Sequence, residues 1–474
     1  MARIWSAQIP RPDMGGLGRY DYLIENLGTN YWVADHRGNR VHGPGTDLYT
    51  EGQWTIDTLE AAEGGSIYMH LLGDHDLNDE LLFTGEQEGG SSWKPARSIA
   101  LFGPDMYSLN LQVKTNNTYG IRGINGACVW LRDFAIEKKG ANAADGIYGE
   151  DGGADTEKSF IRSIFENLRI WGGSATAAEQ WCMRFQNPFR NLFRGHLDLT
   201  AESSTDVNVC GAIQFEVTDT QQWGDSYASG EHNIFLNQDN AIGIHLLGNT
   251  RHVGLVRWDA YTHIFGKASP ASITAVKLDY ARRCMLRNIQ VERCNIAFDV
   301  TGGSGTESMN NLIIDSPWLQ VEDAGKVFFV EQYALDTRIE QIQCIWVADG
   351  DTVIVLDDDN TDATEPTFCD DWMIRVDGGG AASIQKQTVT ELHRIRGDLE
   401  RSENKGLADI TGAVNLVTVA HGLLATPQYL RVTPRQDSGD FWIDTIGAVN
   451  FNVNFDVQPG GATWYFDWKA QASK

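Results

Sequence analysis

Short runs of alternating apolar and polar residues, broken every few positions by Gly, Asn or Asp, fill most of the chain. That is the period-two pattern of half-buried β-strands. Helical periodicity is scarce, and its best instance is TEGQWTIDTLEAAEGG, residues 50–65. The strands repeat. A segment of the form small–apolar–x–apolar–x recurs as GIYGE from Gly146, CMRFQ from Cys182, AIQFE from Ala212, GIHLL from Gly243, AVKLD from Ala275, AFDVT from Ala297, VFFVE from Val327 and VIVLD from Val353, at spacings of 22 to 36 residues. A second ladder, N–apolar–x–apolar, runs ahead of it as NLRI from Asn167, NIFL from Asn233, NIQV from Asn288 and NLII from Asn311, with HVGLV from His252 and IEQIQCIWV from Ile339 as weaker copies.

A coil of about 30 residues cannot bury its own apolar side, whereas stacked coils share one interior. The repeat therefore predicts an all-β solenoid, a right-handed parallel β-helix with at least two strands per turn; a β-sandwich of evenly spaced strands is the alternative. Alternation sends Ile147, Met183, Ile213, Ile244, Val276 and Phe298 inward and the residue after each outward. Asn at the head of the other ladder suits a turn, where its amide can bond neighbouring backbone.

Residues 30–110 run from NYWVADHRGNRVHGPGTD through the helical stretch to GGSIYMHLLGDHDLNDELLFTG and SIALFGPD. Their order resembles the entry of the pectate-lyase superfamily of β-helices, in which a helix caps the open end and a strand of the GGSIYM kind begins the first coil. After about residue 378 the repeat stops. GGGAASIQKQ and HRIRGDLERSENKG lead to a tail whose VTVAHGL, TP, FWI, NFNVNF and FDWKA resemble a small terminal β-domain that follows β-helices in viral tail and spike proteins. The expected organisation is an N-terminal region and cap over 1–110, coils over 111–380, a linker over 381–410 and a terminal β-sandwich over 411–474. The whole resembles a viral tailspike or related polysaccharide depolymerase. The resemblance implies a homotrimer that acts on a surface or extracellular polysaccharide, with a monomeric enzyme or a non-catalytic adhesin as alternatives.

Charge narrows the partners. With 38 basic and 64 acidic residues, a net of −26, the chain repels nucleic acid and anionic membrane surfaces alike. No run of 18 apolar residues and no leader-like segment is present, which predicts synthesis in a cytoplasm and, for a virion component, release by lysis. The seven cysteines, at 128, 182, 210, 284, 294, 344 and 369, form no C-x-x-C pair and read as reduced core residues. Phosphate-loop, serine-hydrolase and zinc-protease motifs are missing, and no cofactor is expected. The acidic run VLDDDNTDATEP from Val355 could hold calcium but lacks the spacing of a known loop, so a solvated turn is expected there.

In a parallel coil, matching outward residues stack about 4.8 Å apart. The sequence then writes out one column as Tyr148, Arg184, Gln214, His245, Lys277 and Asp299, and a second, two residues on, as Glu150, Gln186, Glu216, Leu247, Asp279 and Thr301. Glu150 and Glu216 stand two coils apart, on the order of 10 Å, near the spacing of an inverting acid–base pair. Asp145 and Asp151 beside them are substitutes. Arg184, His245 and Lys277 allow a different chemistry, in which a cation neutralises a uronate and His or Lys removes its α-proton, or else they simply pair with carboxylates across coils. Tyr148 and Gln214 in the column, with Trp171, Trp181, Trp223, Tyr227 and Trp258 near it, are the candidates for contact with sugar. Later coils present Phe329 and Val355 instead.

Overall fold

The computed structural model describes residues 20–472 except 63, 86–97, 115–118, 151–158, 174–178, 204–208, 219–224, 249–252, 269, 271, 302–311, 316–317, 331–336, 343, 348–351, 357–367, 371, 377–382, 385–390, 394–395, 398–402, 412–413, 424–425, 437–438 and 460–461. Strands of three parallel ladders stack coil on coil. One ladder begins at Gly65–His70, the next at Gly73–Leu77 and the third at Leu81–Thr84. They end at Glu391–His393, Arg396–Gly397 and Ser383–Ile384. The fold is the expected parallel β-helix. Its coils have three arms, one more than the two repeats reveal, because the strands of the first arm are short and carry no recurrent polar signature.

The parallel ladders also extend past the expected 111–380 at both ends. Three strands of the first coil lie between Gly65 and Thr84, and three strands of the last coils fall in the stretch expected as linker. The entry is closed by the antiparallel pair Tyr22–Leu27 and Asn30–Asp35 and by one helix, Leu48–Ala61. Asp47 caps that helix, its carboxylate accepting from Tyr49 N at 3.2 Å. Leu48, Ile56 and Leu59 point from it into the same core as Ile67 and Leu81, which covers the first apolar layer that a solenoid would otherwise expose.

The register is the one that the repeats imply. Ile147, Met183, Ile213, Ile244, Val276 and Phe298 pair in succession and are fully buried. Each contributes about 1.5–3 kcal/mol by leaving water. The small residue heading each repeat has a steric cause: a Cβ on Gly146 would stand 2.8 Å from the Cys182 carbonyl oxygen and press on Ile170 of the neighbouring arm. Between the first and second arms the chain bends through left-handed backbone at Asp133, Asn167, Gly195, Gly230 and Asn288. Asn and Asp tolerate that conformation, and the Asn167 amide oxygen accepts from His196 N of the next coil at 2.9 Å. Asn233 does not share the role; Gly230 makes the bend, and Asn233 stands in the strand between Asp198 and His263. Asn311 lies outside the described residues.

The C-terminal unit starts at Glu403. Two three-stranded antiparallel sheets, Glu403–Thr411 with Thr463–Gln471 and Tyr429–Pro434, and Leu416–Ala420 with Asn450–Phe455 and Phe441–Asp444, enclose a separate core of Phe451, Val453, Phe455, Phe466 and Trp468. Cys182, Cys210, Cys284 and Cys294 are buried thiols. No helix among the described residues is long and apolar enough to cross a membrane.

Candidate functional site

The third arm carries the polar columns. Its strands Asp145–Glu150, Glu179–Gln186, Val209–Val217, Ala241–Gly248, Thr274–Asp279 and the end of Ile289–Thr301 align Tyr148, Arg184, Gln214, His245, Lys277 and Asp299, with Arg122 one coil earlier. The second column aligns Gln186, Glu216, Leu247, Asp279 and Thr301. Although they lie outside the helix core, several of these groups are buried: Gln214 is 2%, His245 6% and Glu216 9% exposed. A third column explains the cover. Tyr119 stacks on Tyr148 at 4.3 Å, and Trp181 packs 5.8 Å from the ring of His245. Gly211 makes Trp181 possible, since any Cβ there would run into the indole.

Burial without water forces each charge to find a partner. Arg184 bridges Glu179 at 3.1 Å and Glu216 at 3.0 Å, and Gln186 adds a bond to Glu216 at 3.3 Å. Arg122 bridges Glu80 and Glu150. His245 is engaged on both nitrogens, Nδ1 by the Gln214 amide at 3.1 Å and Nε2 by Asp279 at 2.7 Å. Lys277 reaches the same Asp279 oxygen at 3.5 Å. Among the described residues, buried polar atoms of this cluster with no hydrogen-bond partner include Arg122 Nε, Trp181 Nε1, Arg184 Nε and Gln214 Oε1.

Asp145 differs from the other carboxylates. Fully buried between Tyr119 and Trp181, it accepts from Trp181 N at 2.8 Å. Burial pushes its carboxyl up to about 6, against the pull of Lys138 and Arg184 and the Trp181 N–H, and Glu179 pushes the same way as burial. Burial likewise raises the Tyr148 phenol. Trp181 N meets Asp145 one coil on, and Glu179 stands two residues before Trp181. With about 3.3 Å per residue and about 4.8 Å per coil, the Asp145 and Glu179 backbones are about 8 Å apart.

The expected sugar contacts divide. Tyr148 and Gln214 belong to the cluster, and Trp181 roofs it but is 1% exposed. Trp258 is a core residue of the first arm, its indole donating to Thr262 at 2.8 Å, so it cannot offer a face to sugar. Trp171 stands on the second arm under Arg169, and Tyr227 on the first beside Arg257. Asp151 and Trp223 lie outside the described residues, as does most of the acidic run after Val355. Among the described residues no His, Cys, Asp and Glu group is arranged to hold a metal ion. Glu179, Lys138, Arg122 and Tyr119 were not candidates from sequence. Glu179 heads the segment that ends in CMRFQ, and register against Asp145 is the signal that singles it out.

No family model matches the chain, and no curated protein matches it. Similar solved structures include a tailspike protein of E. coli bacteriophage HK620, 9% identical over 92% of each chain with a TM-score of 0.48. Others are the Gp54 tailspike of Acinetobacter baumannii bacteriophage AP22 in complex with A. baumannii capsular saccharide, 10% identical over 91% of this chain and 94% of that one with a TM-score of 0.43, and the tailspike gp49 of Pseudomonas phage LKA1, 8% identical over 88% and 91% with a TM-score of 0.35. At TM-scores below 0.5, the function has to be argued from this chain's own side chains.

Proposed function

We propose that the third arm binds a polysaccharide and cleaves it by inverting hydrolysis, with Asp145 as general acid and Glu179 as general base. The observation that carries this is the raised proton affinity of the buried Asp145 carboxyl with a second carboxylate, Glu179, on the next coil; their backbones stand about 8 Å apart, a spacing from which the side chains can reach the separation of about 6.5–9.5 Å that leaves room for an attacking water. Asp145 retains a proton near pH 6, as a donor to a leaving oxygen must, and Glu179 bonds Arg184 at 3.1 Å. The roles expected of Glu150 and Glu216 move for a physical reason. Each is bonded by an arginine, and Glu216 by Gln186 as well, so their oxygens are engaged within the protein. Glu216 instead orients Arg184.

Elimination is the weaker reading. It needs a cation available to the substrate's carboxylate and a free base, yet Arg122, Arg184 and Lys277 are paired with acidic side chains, and His245 has both nitrogens bonded. Buried unpaired atoms on Trp181, Arg184 and Gln214 suit a hydroxyl-rich ligand, since each costs about 1–3 kcal/mol while unmet. The deep burial of Asp145 favours one rival, a spike that binds sugar without cutting it. A panel of polysaccharides, assayed for reducing ends and for unsaturated-uronate absorbance, separates the readings. Reducing ends alone support hydrolysis, both signals together mean a lyase, and binding with neither means an adhesin. The assembly proposed is a virion-associated homotrimer; light scattering that finds a monomer at micromolar concentration overturns it.

A further inference from the structure

We propose that Lys138 is the positioning residue of Asp145: its buried ammonium ties together the two backbone segments that hold the carboxyl, and so sets the pH at which Asp145 releases its proton. This rests on the reading of Asp145 as the acid. Lys138 ends the strand Cys128–Lys138, in which alternation sends Ile136 and then Lys138 inward, and it is 2% exposed. Lysine is almost never found so deep unless paired. Its Nζ donates to the Ala144 carbonyl at 3.4 Å and to the Trp181 carbonyl at 3.3 Å. Ala144 directly precedes Asp145, and Trp181 supplies the N–H that Asp145 accepts. One ammonium thus joins two successive coils at the point where the carboxyl is seated.

The charges facing Asp145 come from every strand packed around it. Lys138 stands on the preceding strand of its own coil. Tyr119 comes from the coil before, Tyr148 from its own strand, and Glu179, Arg184 and the Cys182 thiol from the coil after. Burial pushes Cys182 to about 11, so it stays neutral through the working range. Two cations therefore oppose burial and one anion. Arg184 is shared with Glu179 and Glu216, whereas Lys138 is bonded to neutral carbonyls and its charge remains for Asp145. Removing that charge leaves burial and Glu179 less opposed, and the carboxyl holds its proton to higher pH.

The test is Lys138→Met, which keeps the length of the side chain and removes its charge. The alkaline limb of the pH–rate profile should move up by about one pH unit, a tenfold change in proton affinity. A structural role alone would lower the rate without moving the limb. A second measurement needs no turnover: the urea midpoint against pH, each background compared with its Asp145→Asn partner, places the titration of Asp145 directly. It should move upward in Lys138→Met. An unmoved titration overturns the proposal, and it does so even if no substrate is ever cleaved. If Lys138→Met fails to fold, the double variant Lys138→Met, Asp145→Asn should fold better than the single one; a double variant no more stable than the single one equally overturns it.

Discussion

The second and third arms of the coil share one interior and differ in what they do with charge. On the second arm, an outward ion pair stays in contact with water: Arg169, with a side chain 41% exposed, meets Asp198 at 3.4 Å. A titratable group also faces inward there: His232 is fully buried against Trp258 with both ring nitrogens unpartnered among the described residues. The third arm buries polar groups on its outside, under Trp181 and the Tyr119–Tyr148 stack. Solvated pairs are worth little and carry no chemistry. Desolvated ones hold a carboxyl at an unusual proton affinity, which is what acid–base catalysis requires. Similar residue types on the two faces thus differ in burial because one face is roofed.

The largest test of that contrast is catalytic. Asp145→Asn and Glu179→Gln should each lower the rate of reducing-end release by about 10²–10⁴, while Asp198→Asn on the second arm leaves it unchanged. Equal losses on both arms, or none on the third, would remove the distinction.

The pH dependence of stability should have opposite signs on the two arms. Asp145 titrates at about 6 folded, above its ordinary 3.8, so the folded state holds the extra proton, and stability falls as pH rises from about 4 to about 6. His232 is pushed down by burial to about 4 from 6.5, so the unfolded state holds the extra proton, and stability falls as pH drops from about 6.5 to about 4. Each is worth on the order of 3 kcal/mol. Urea midpoints over this range should lose the first slope in Asp145→Asn and the second in His232→Phe. A variant that keeps the slope assigned to it refutes that assignment.

A smaller effect sharpens the account of the roof. Gly211→Ala should cost about 1–3 kcal/mol, because its methyl displaces Trp181, and should raise solvent quenching of tryptophan fluorescence. An unchanged urea midpoint would mean that Trp181 does not lie on Gly211. Smallest of all, Arg169→Ala should change stability by at most about 1 kcal/mol, and less at high salt.

Much of the architecture was legible because it rests on local rules. A strand's side chains alternate by twos, so aligning Ile147, Met183 and Ile213 fixed the outward partners of every following coil, and Tyr148, Arg184, Gln214 and His245 stand where the repeat puts them. The boundaries were less legible. The first-arm strands repeat no polar mark, so the coils between Gly65 and Thr84 and those beyond residue 380 read as cap and linker. The tryptophans were illegible in a different way, since Trp181 and Trp258 sit in similar apolar surroundings and only one of them roofs the polar columns.

Period, inward set and column register were therefore settled by the sequence itself, because each depends on residues next to one another along the chain and on a repeat that any reader can align. Which carboxyl loses its water was decided only by the tertiary structure. Arg122 reaches Glu150, Arg184 reaches Glu216, and Lys138 with Trp181 encloses Asp145, from sequence distances of 28, 32, 7 and 36 residues. Proton affinity follows desolvation and charge through space, and both fall off over a few ångströms. A one-dimensional pattern places such groups in the same column but cannot say which of them has lost its water.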